Sequence, residues 1–138
     1  MHATHADLRH VFVYGTLRAG QANDINRLHP APKRVGVARL AGTMYHLGTY
    51  PGVVLGGVGQ VVGEVYQITP ALEKTLDEIE EIYPQQRDEY IKQVVGVDVV
   101  PGGVGPTQRL PCLVYELNAR YAAGKPTVAG GDWSSRAG

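Results

Sequence analysis

Backbone N–H groups that follow the first apolar segment are the first candidates for chemistry in this sequence. Residues 11–14 read Val-Phe-Val-Tyr and end at Tyr14, after which come Gly15, Thr16 and Leu17. A strand that ends in Gly-Thr leaves N–H groups without ladder partners, and such a turn can close into an anion-binding nest. Gly15 lets a ligand approach the backbone closely. The simpler alternative, which composition alone favours, is an ordinary turn after a core strand.

The second candidate is a carboxylate on the strongest helical pattern, which begins at Pro70 and is predicted to end at residue 82 or 83. Its apolar residues are spaced by four, three and four, which places them on one face; they are Leu72, Leu76, Ile79 and Tyr83. The same segment carries five acids: Glu73, Asp77, Glu78, Glu80 and Glu81. At about 100° per residue, Glu73 and Glu80 lie near the edge of the apolar face, and the other three point well away from it.

A structural role accounts for Glu73 but not for Glu80. Glu73 is close to the helix start, where an acid stabilises the helix dipole. Glu80 has no such role, and a carboxylate at an apolar border loses hydration, which favours its neutral form and makes it a usable proton acceptor and donor. A fully solvated acidic face is the alternative interpretation for the whole set.

The elements that must position these groups are mainly strands. Alternation and turn residues predict strands over about residues 9–14, 33–40, 43–47, 53–55, 60–68, 90–100 and 109–117, and a short helix over 23–28. Gly63 inside a strand predicts a bulge or a close backbone approach. Several strands against one good helix indicate an α+β fold with a curved sheet or small barrel, and no pair of βαβ units is visible.

Composition bounds the class of protein. The 138 residues fit a single domain over 1–138, with segments 1–8 and 119–138 expected to be flexible or loosely packed. Balanced charge, with 13 basic and 13 acidic residues, gives no indication of a nucleic-acid partner. The N-terminus lacks the apolar core of a signal peptide, and no apolar run is long enough to span a bilayer. The sequence therefore predicts a soluble, cytoplasmic protein without a membrane partner.

Metal and covalent chemistry find little support in the sequence. The five histidines are scattered, so a metal site is not expected. The single cysteine, Cys112, lies in an apolar run, which predicts a buried and inert thiol. No serine or cysteine stands in a convincing catalytic arrangement, and no cofactor is expected. Two tyrosines, Tyr50 and Tyr115, are the phenols expected to shape a pocket at the strand ends, although most tyrosines here read as core.

Taken together, several motifs resemble the γ-glutamylcyclotransferase-like family, in its AIG2-like and γ-glutamylamine cyclotransferase branch. In chain order they are Tyr14-Gly15-Thr16-Leu17 with Gly20 and Asn23, Tyr50-Pro51-Gly52, Gly63-Glu64-Val65-Tyr66, Leu76-Asp77 with Glu80, and Tyr90. The motifs span residues 10–117, and Gly131-Asp132-Trp133 is similar to a tail of bacterial members. The turn alone is weak evidence, whereas the turn together with Gly63-Glu64-Val65-Tyr66 and with Leu76-Asp77 and Glu80, at these spacings, is fairly specific.

This resemblance implies a small mixed β-barrel flanked by helices and one reaction. A γ-glutamyl amide is cleaved by attack of the substrate's own α-amine, which releases 5-oxoproline and a free amine. The family's turn maps onto residues 14–17, which would bind the glutamyl head, and its catalytic glutamate maps onto Glu80. One departure is Lys92, where the family often has arginine. The loop over residues 81–89 has its own sequence and is expected to border the leaving amine.

Two other functions remain open at this stage. The same pocket could serve a non-catalytic module that binds a γ-glutamyl or similar small ligand. A nucleic-acid-binding barrel is disfavoured by neutral charge and by the single phenylalanine and single tryptophan available for stacking. The sequence specifies neither the leaving amine nor the oligomeric state.

Overall fold

Five strands form a closed barrel in the computed structural model, which describes residues 8–80 and 88–135. They are β1 (Arg9–Val13), β2 (Lys33–His46), β3 (Pro51–Ile68), β4 (Tyr90–Pro101) and β5 (Gln108–Leu117). The order around the barrel is β1-β3-β2-β4-β5, and the parallel pairing of Val11 with Leu113 joins β1 to β5. The other pairings are antiparallel. The predicted α+β fold with a small mixed barrel is confirmed.

Some of the predicted strands merge into longer ones. The segments predicted over 33–40 and 43–47 are one strand, β2, and those over 53–55 and 60–68 are one strand, β3. The predicted turn at Gly56 and Gly57 survives as a protrusion, because Ala41 pairs with Gln60 while Gly42 pairs with Leu55. Both glycines have a positive φ, and the four residues 56–59 bulge out of the ladder.

The helix α1 (Pro70–Ile79) is capped as the sequence predicts. The Thr69 hydroxyl accepts a hydrogen bond from the Leu72 N–H at 3.2 Å, and Pro70 occupies the first turn. The helix ends earlier than predicted, with Glu80 as its C-cap. Positions 81–83 of the predicted helix lie outside the described residues. The helix predicted over 23–28 is a single 3₁₀ turn, Ile25–Arg27.

Two apolar clusters lie on opposite sides of β1, as the alternation of side chains along a strand requires. One includes Phe12 and draws residues from all five strands, and it fills the barrel. The other includes Val11 and Val13 and packs against Leu72 and Leu76 of α1. The helix therefore covers the outer face of β1, and its C-terminal end lies beside the end of that strand.

Two further observations concern Gly63 and the chain after β5. A side chain at Gly63 would lie 2.7 Å from Cζ of Phe12, so the predicted close approach is present. Within the segment 119–138, for which the sequence predicts loose packing, Trp133 is buried with its ring 5.0 Å from that of His46. The Val128 N–H also donates to the Met44 carbonyl at 2.8 Å. In the described ranges, no helix combines the length and the apolar character that crossing a bilayer requires.

Candidate functional site

A pocket of about 360 Å³ lies at the end of β1, beside the C-terminal end of α1. All of the residues that the sequence singles out as catalytic or substrate-binding line it: Tyr14, Gly15, Thr16, Leu17, Tyr50, Glu80 and Tyr115. Strand β1 delivers the turn, α1 delivers Glu80, and β5 delivers Tyr115. The structure thus brings together residues that are up to about a hundred positions apart. Their roles in catalysis and binding stay predictions.

The turn after β1 is closed by its own backbone. The Arg18 N–H donates to the Gly15 carbonyl at 3.0 Å, and the Asn23 and Ile25 N–H groups donate to the carbonyls of Thr16 and Leu17. Among the described residues, the N–H groups of Gly15, Thr16 and Leu17 themselves meet no acceptor. Three consecutive N–H groups without partners at a pocket wall can bind an anionic oxygen.

A buried ion pair holds this turn against the barrel. The Arg18 Nε lies 2.9 Å from Oε2 of Glu64, and the two residues are 8% and 5% exposed. The other Glu64 oxygen, Oε1, accepts hydrogen bonds from the Ala19 N–H at 3.0 Å and from the Tyr66 hydroxyl at 2.8 Å. Glu64 therefore fixes both the side chain and the backbone that follow Leu17.

The chain's last described segment joins the same network. Arg18 Nη1 lies 2.7 Å from Oδ1 of Asp132, and the same oxygen accepts the Ser134 N–H at 3.0 Å. Trp133, which lies between Asp132 and Ser134 in the sequence, is buried. The motifs Gly63–Tyr66 and Gly131–Trp133 thus meet at Arg18. The sequence analysis assigned Arg18 no role, although both motifs belong to the family resemblance that it described.

The pocket's phenols are held as neutral hydrogen-bond donors. Tyr14 donates to the Tyr115 carbonyl at 2.6 Å, and Tyr90 donates to the Pro51 carbonyl at 2.9 Å. Burial raises the pKa of Tyr14 well above its usual value, and the carboxylate of Glu80 raises it further. The pKa of Tyr90 is raised for the same two reasons, together with the nearby Tyr14. Glu80 and both phenols line the same pocket.

Glu80 is held at the pocket by the end of α1. As the C-cap it still donates its N–H to the Leu76 carbonyl at 2.9 Å, so its backbone is anchored to the last helical turn. Its side chain is half-buried. Glu73, the other acid expected to reach a pocket between helix and sheet, does not line this one. It pairs instead with Lys92 at 2.7 Å and with Arg9 at 3.2 Å.

The expectation that Asp77 points well away from the packed side of the helix is wrong. Its side chain is only 15% exposed and accepts hydrogen bonds from Lys92 Nζ at 2.9 Å and from the Tyr115 hydroxyl at 2.7 Å. Burial of Lys92 lowers its pKa, but the bonds to Glu73 and Asp77 outweigh this and the net pKa is raised. Asp77 thereby orients the Tyr115 phenol. The angular position of Asp77 around the helix axis could not predict this contact, because Tyr115 comes from β5.

A second pocket carboxylate, Glu89, was named in the sequence analysis only as the end of a loop. Its Oε2 accepts the Tyr50 hydroxyl at 2.7 Å, and both residues line the pocket. Residues 81–87 of that loop lie outside the described residues. Across the described ranges, no group of three or more His, Cys, Asp or Glu side chains is arranged to hold a metal ion.

Comparisons with known proteins identify a matching family. Residues 11–135 match the family described as "Gamma-glutamyl cyclotransferase, AIG2-like". A protein of Vibrio cholerae serotype O1, named "Putative gamma-glutamylcyclotransferase", is 35% identical over 86 residues, which are 62% of this chain and 74% of that protein.

Two solved structures are similar in fold. The crystal structure of an AIG2-like protein from Mus musculus has a TM-score of 0.67 and 26% identity, over 87% of this chain and 85% of that one. YkqA from Bacillus subtilis has a TM-score of 0.65 and 27% identity over 91% of this chain, which spans only 39% of YkqA. With a family match over residues 11–135, this chain belongs to the gamma-glutamyl cyclotransferase, AIG2-like family.

Proposed function

We propose that the protein cleaves γ-glutamyl amides by cyclisation, releasing 5-oxoproline and a free amine. The observation that carries the proposal is that Glu80 lines one pocket of about 360 Å³ with Gly15, Thr16 and Leu17, whose N–H groups meet no acceptor among the described residues. A proton-transfer group and an anion-binding wall are the two features that this reaction needs. Membership of the family supports the same reaction class.

The N–H groups of the turn bind the anionic oxygens of the glutamyl head. They hold the α-carboxylate or the oxyanion that develops on the γ-carbonyl oxygen, and one well-placed donor of this kind contributes roughly 2.7–4 kcal/mol. Arg18 and Glu64 act on the substrate only through the turn, since neither lines the pocket. The neutral phenols of Tyr14 and Tyr115 add polar groups to the wall that faces the substrate.

The substrate supplies the nucleophile. Its α-ammonium gives a proton to the Glu80 carboxylate, and the freed amine attacks the γ-carbonyl carbon to close a five-membered ring. The C–N bond to the leaving amine then breaks as Glu80 returns the proton to that nitrogen. The ring nitrogen loses its second proton, which the released amine takes up, so the amine leaves as an ammonium ion. No water is consumed, and the products are 5-oxoproline and the amine.

Most of the acceleration in this mechanism comes from folding the substrate chain. A well-oriented intramolecular reaction gains roughly 7–11 kcal/mol over its bimolecular counterpart. General acid–base help from Glu80 adds roughly 10²–10⁴ in rate. The chain's one thiol plays no part, because Cys112 is buried in the barrel and does not line the pocket.

The test is product analysis on a panel of γ-glutamyl amides, with leaving groups that include alkylamines, diamines, lysine side chains and dipeptides. We expect 5-oxoproline and free amine in a one-to-one ratio from at least one of them. An N-acetylated copy of that substrate, whose nucleophile is blocked, should give no product. Release of glutamate, or turnover of the blocked copy, would contradict cyclisation; binding of the panel without any turnover would identify a binding module.

A further inference from the structure

Asp77 does not line the pocket, yet its carboxylate holds a side chain that does. Its Oδ1 accepts the Tyr115 hydroxyl at 2.7 Å, and Lys92 Nζ lies 3.1 Å from Oδ1 and 2.9 Å from Oδ2. Lys92 and Tyr115 are direct partners in the pairing of β4 with β5, so their side chains leave the same face of the barrel. Asp77 therefore joins α1 to both strands at the pocket wall.

The Asp77 carboxylate fixes the direction of the hydrogen bond that Tyr115 makes. A hydroxyl has one proton and two acceptor lone pairs, whereas an ionised carboxylate only accepts. The Tyr115 proton is thus committed to Asp77. Burial, and then the bond to Asp77, raise the pKa of Tyr115, so this proton stays on the phenol oxygen. Toward any other group, that oxygen can only accept a hydrogen bond.

The phenol oxygen of Tyr115 lies on the side of α1 that carries Glu80. Asp77 precedes Glu80 by three residues, and side chains at this spacing are neighbours on a helix, about 5–6 Å apart between their Cβ atoms. Glu80 and Tyr115 also line the same pocket. In the proposed reaction Glu80 takes a proton from the substrate's α-ammonium, the one group of the glutamyl head with N–H donors. The remaining N–H groups of that nitrogen are the donors that suit an acceptor beside Glu80.

We propose that Asp77 is a positioning residue for the cyclisation: it holds the Tyr115 phenol as an acceptor for an N–H of the substrate's α-nitrogen. This hydrogen bond turns the nitrogen lone pair toward the γ-carbonyl carbon. The inference rests on the proposed function. Tyr115 exchanges no proton in this arrangement, and Glu80 remains the group that transfers them. Lys92 binds both Asp77 oxygens and so keeps the carboxylate turned toward the phenol.

Four variants test whether Asp77 acts through Tyr115. Asp77→Leu and Tyr115→Phe each remove the hydrogen bond, and each should lower kcat/KM by about tenfold to a hundredfold, as expected for one hydrogen bond to a charged group. The double variant should be no slower than the slower single variant, because both changes remove the same interaction. Asp77→Asn keeps an oxygen that accepts the phenol proton, so it should restore most of the kcat/KM that Asp77→Leu loses.

The matched control is Glu73→Gln. Glu73 is the other acid bound to Lys92, with its Oε2 2.7 Å from Nζ, but it makes no bond to Tyr115 and does not line the pocket. This variant should keep the kcat/KM of the unaltered protein. Equal losses in Glu73→Gln and Asp77→Leu, or losses that multiply in the double variant, would overturn the inference. If Asp77→Leu does not fold, Tyr115→Phe decides: a loss of about tenfold supports the inference, and full activity overturns it.

Binding measurements separate this inference from the cyclisation itself. The two probes are γ-glutamyl n-butylamide and N-butylglutaramate, which is the same molecule without the α-amino group. Calorimetric Kd values are measured in the Glu80→Gln background, so that turnover does not interfere. The protein should prefer the probe that carries the amine, and adding Tyr115→Phe or Asp77→Leu should reduce this preference by about tenfold.

The two failures have different signatures. A reduced preference for the amine, with no 5-oxoproline from any γ-glutamyl amide, would refute the cyclisation and support the role of Asp77 and Tyr115 in holding the α-nitrogen. An unchanged preference in both variants would overturn that role, and the formation of 5-oxoproline by the unaltered protein would then still support the cyclisation.

Discussion

Arg18 and Glu64 form a buried ion pair behind the binding turn, with Nε and Oε2 2.9 Å apart. Glu64 also accepts the Ala19 N–H, so the pair fixes the backbone that follows the N–H groups of Gly15, Thr16 and Leu17. Asp132 binds the other side of the Arg18 guanidinium at 2.7 Å. The geometry of the anion-binding wall is thus set by contacts made outside the pocket, from β3 and from the end of the described chain.

Replacing Arg18 by methionine should cost about 3–5 kcal/mol in the free energy of unfolding. The reason is that Glu64, at 5% exposure, would keep only its longer contact, 3.5 Å, to Nη1 of the more exposed Arg34. Urea unfolding measures the loss, and the protein's single tryptophan, Trp133, is a convenient buried probe.

The matched control is Arg109→Met. Arg109 pairs with Asp98 at 3.1 Å, but the two side chains are 69% and 53% exposed. An exposed pair of this kind contributes about 0–1 kcal/mol. Equal losses in the two variants would contradict the structural role of the Arg18 pair.

The barrel was predictable from the sequence because the patterns that indicate its strands and its helix are local. Alternation of apolar residues, the Thr69-Pro70 helix start and the glycine inside β3 each depend on neighbours within a few positions. The same reasoning divided β2 and β3 in two, because it could not see that Gly42 and Leu55 resume the ladder beyond the bulge. Which strands continue across a turn is decided by their pairing partners.

That Gly15 and Glu80 line one pocket was predictable, because a motif singled out the first and a helix angle the second. Asp77 was misjudged because its burial depends on Lys92 and Tyr115, which come from β4 and β5. Asp77 lies four residues after Glu73 and three before Glu80, a spacing that favours the same side of a helix. The positions of the apolar residues alone did not indicate this. Glu89 acquires its place through Tyr50, 39 positions away, and through the Asn118 N–H, which donates to its carbonyl.

Gly15→Ala should reduce activity through a steric conflict rather than through the chemistry. A Cβ at this position would lie 2.5 Å from Cγ and 2.8 Å from Cδ of Pro51, so the turn or the proline must shift. Overpacking of this kind typically costs about 1–3 kcal/mol. We expect kcat/KM to fall by about tenfold or more, since displacement of the turn moves the N–H groups away from the glutamyl head.

The double variant Gly15→Ala with Pro51→Ala provides the control. Removing the proline ring leaves room for the new methyl group, and the Pro51 carbonyl that accepts the Tyr90 hydroxyl remains. The double variant should therefore recover most of the stability that the single Gly15→Ala variant loses. Strictly additive losses would show that the conflict with Pro51 is not the cause.

Cys112 should resist alkylation in the folded protein. Burial raises the pKa of its thiol to about 12, so at pH 8 the thiolate is on the order of 10⁻⁴ of the population. Iodoacetamide labelling followed by mass spectrometry should be slow in buffer and complete in urea. Cys112→Ala should retain catalytic turnover, and fast labelling of the native protein would place the thiol elsewhere than in the barrel.

The most direct test of the central claim compares Glu80→Gln with Glu78→Gln, which removes a charge from the same helix outside the pocket. Each variant is mixed with a γ-glutamyl amide that the unaltered protein turns over, and 5-oxoproline formation and substrate Kd are both measured. We predict that Glu80→Gln forms 5-oxoproline at least about 100-fold more slowly while it still binds substrate, and that Glu78→Gln matches the unaltered protein. Undiminished 5-oxoproline formation by Glu80→Gln would contradict the account.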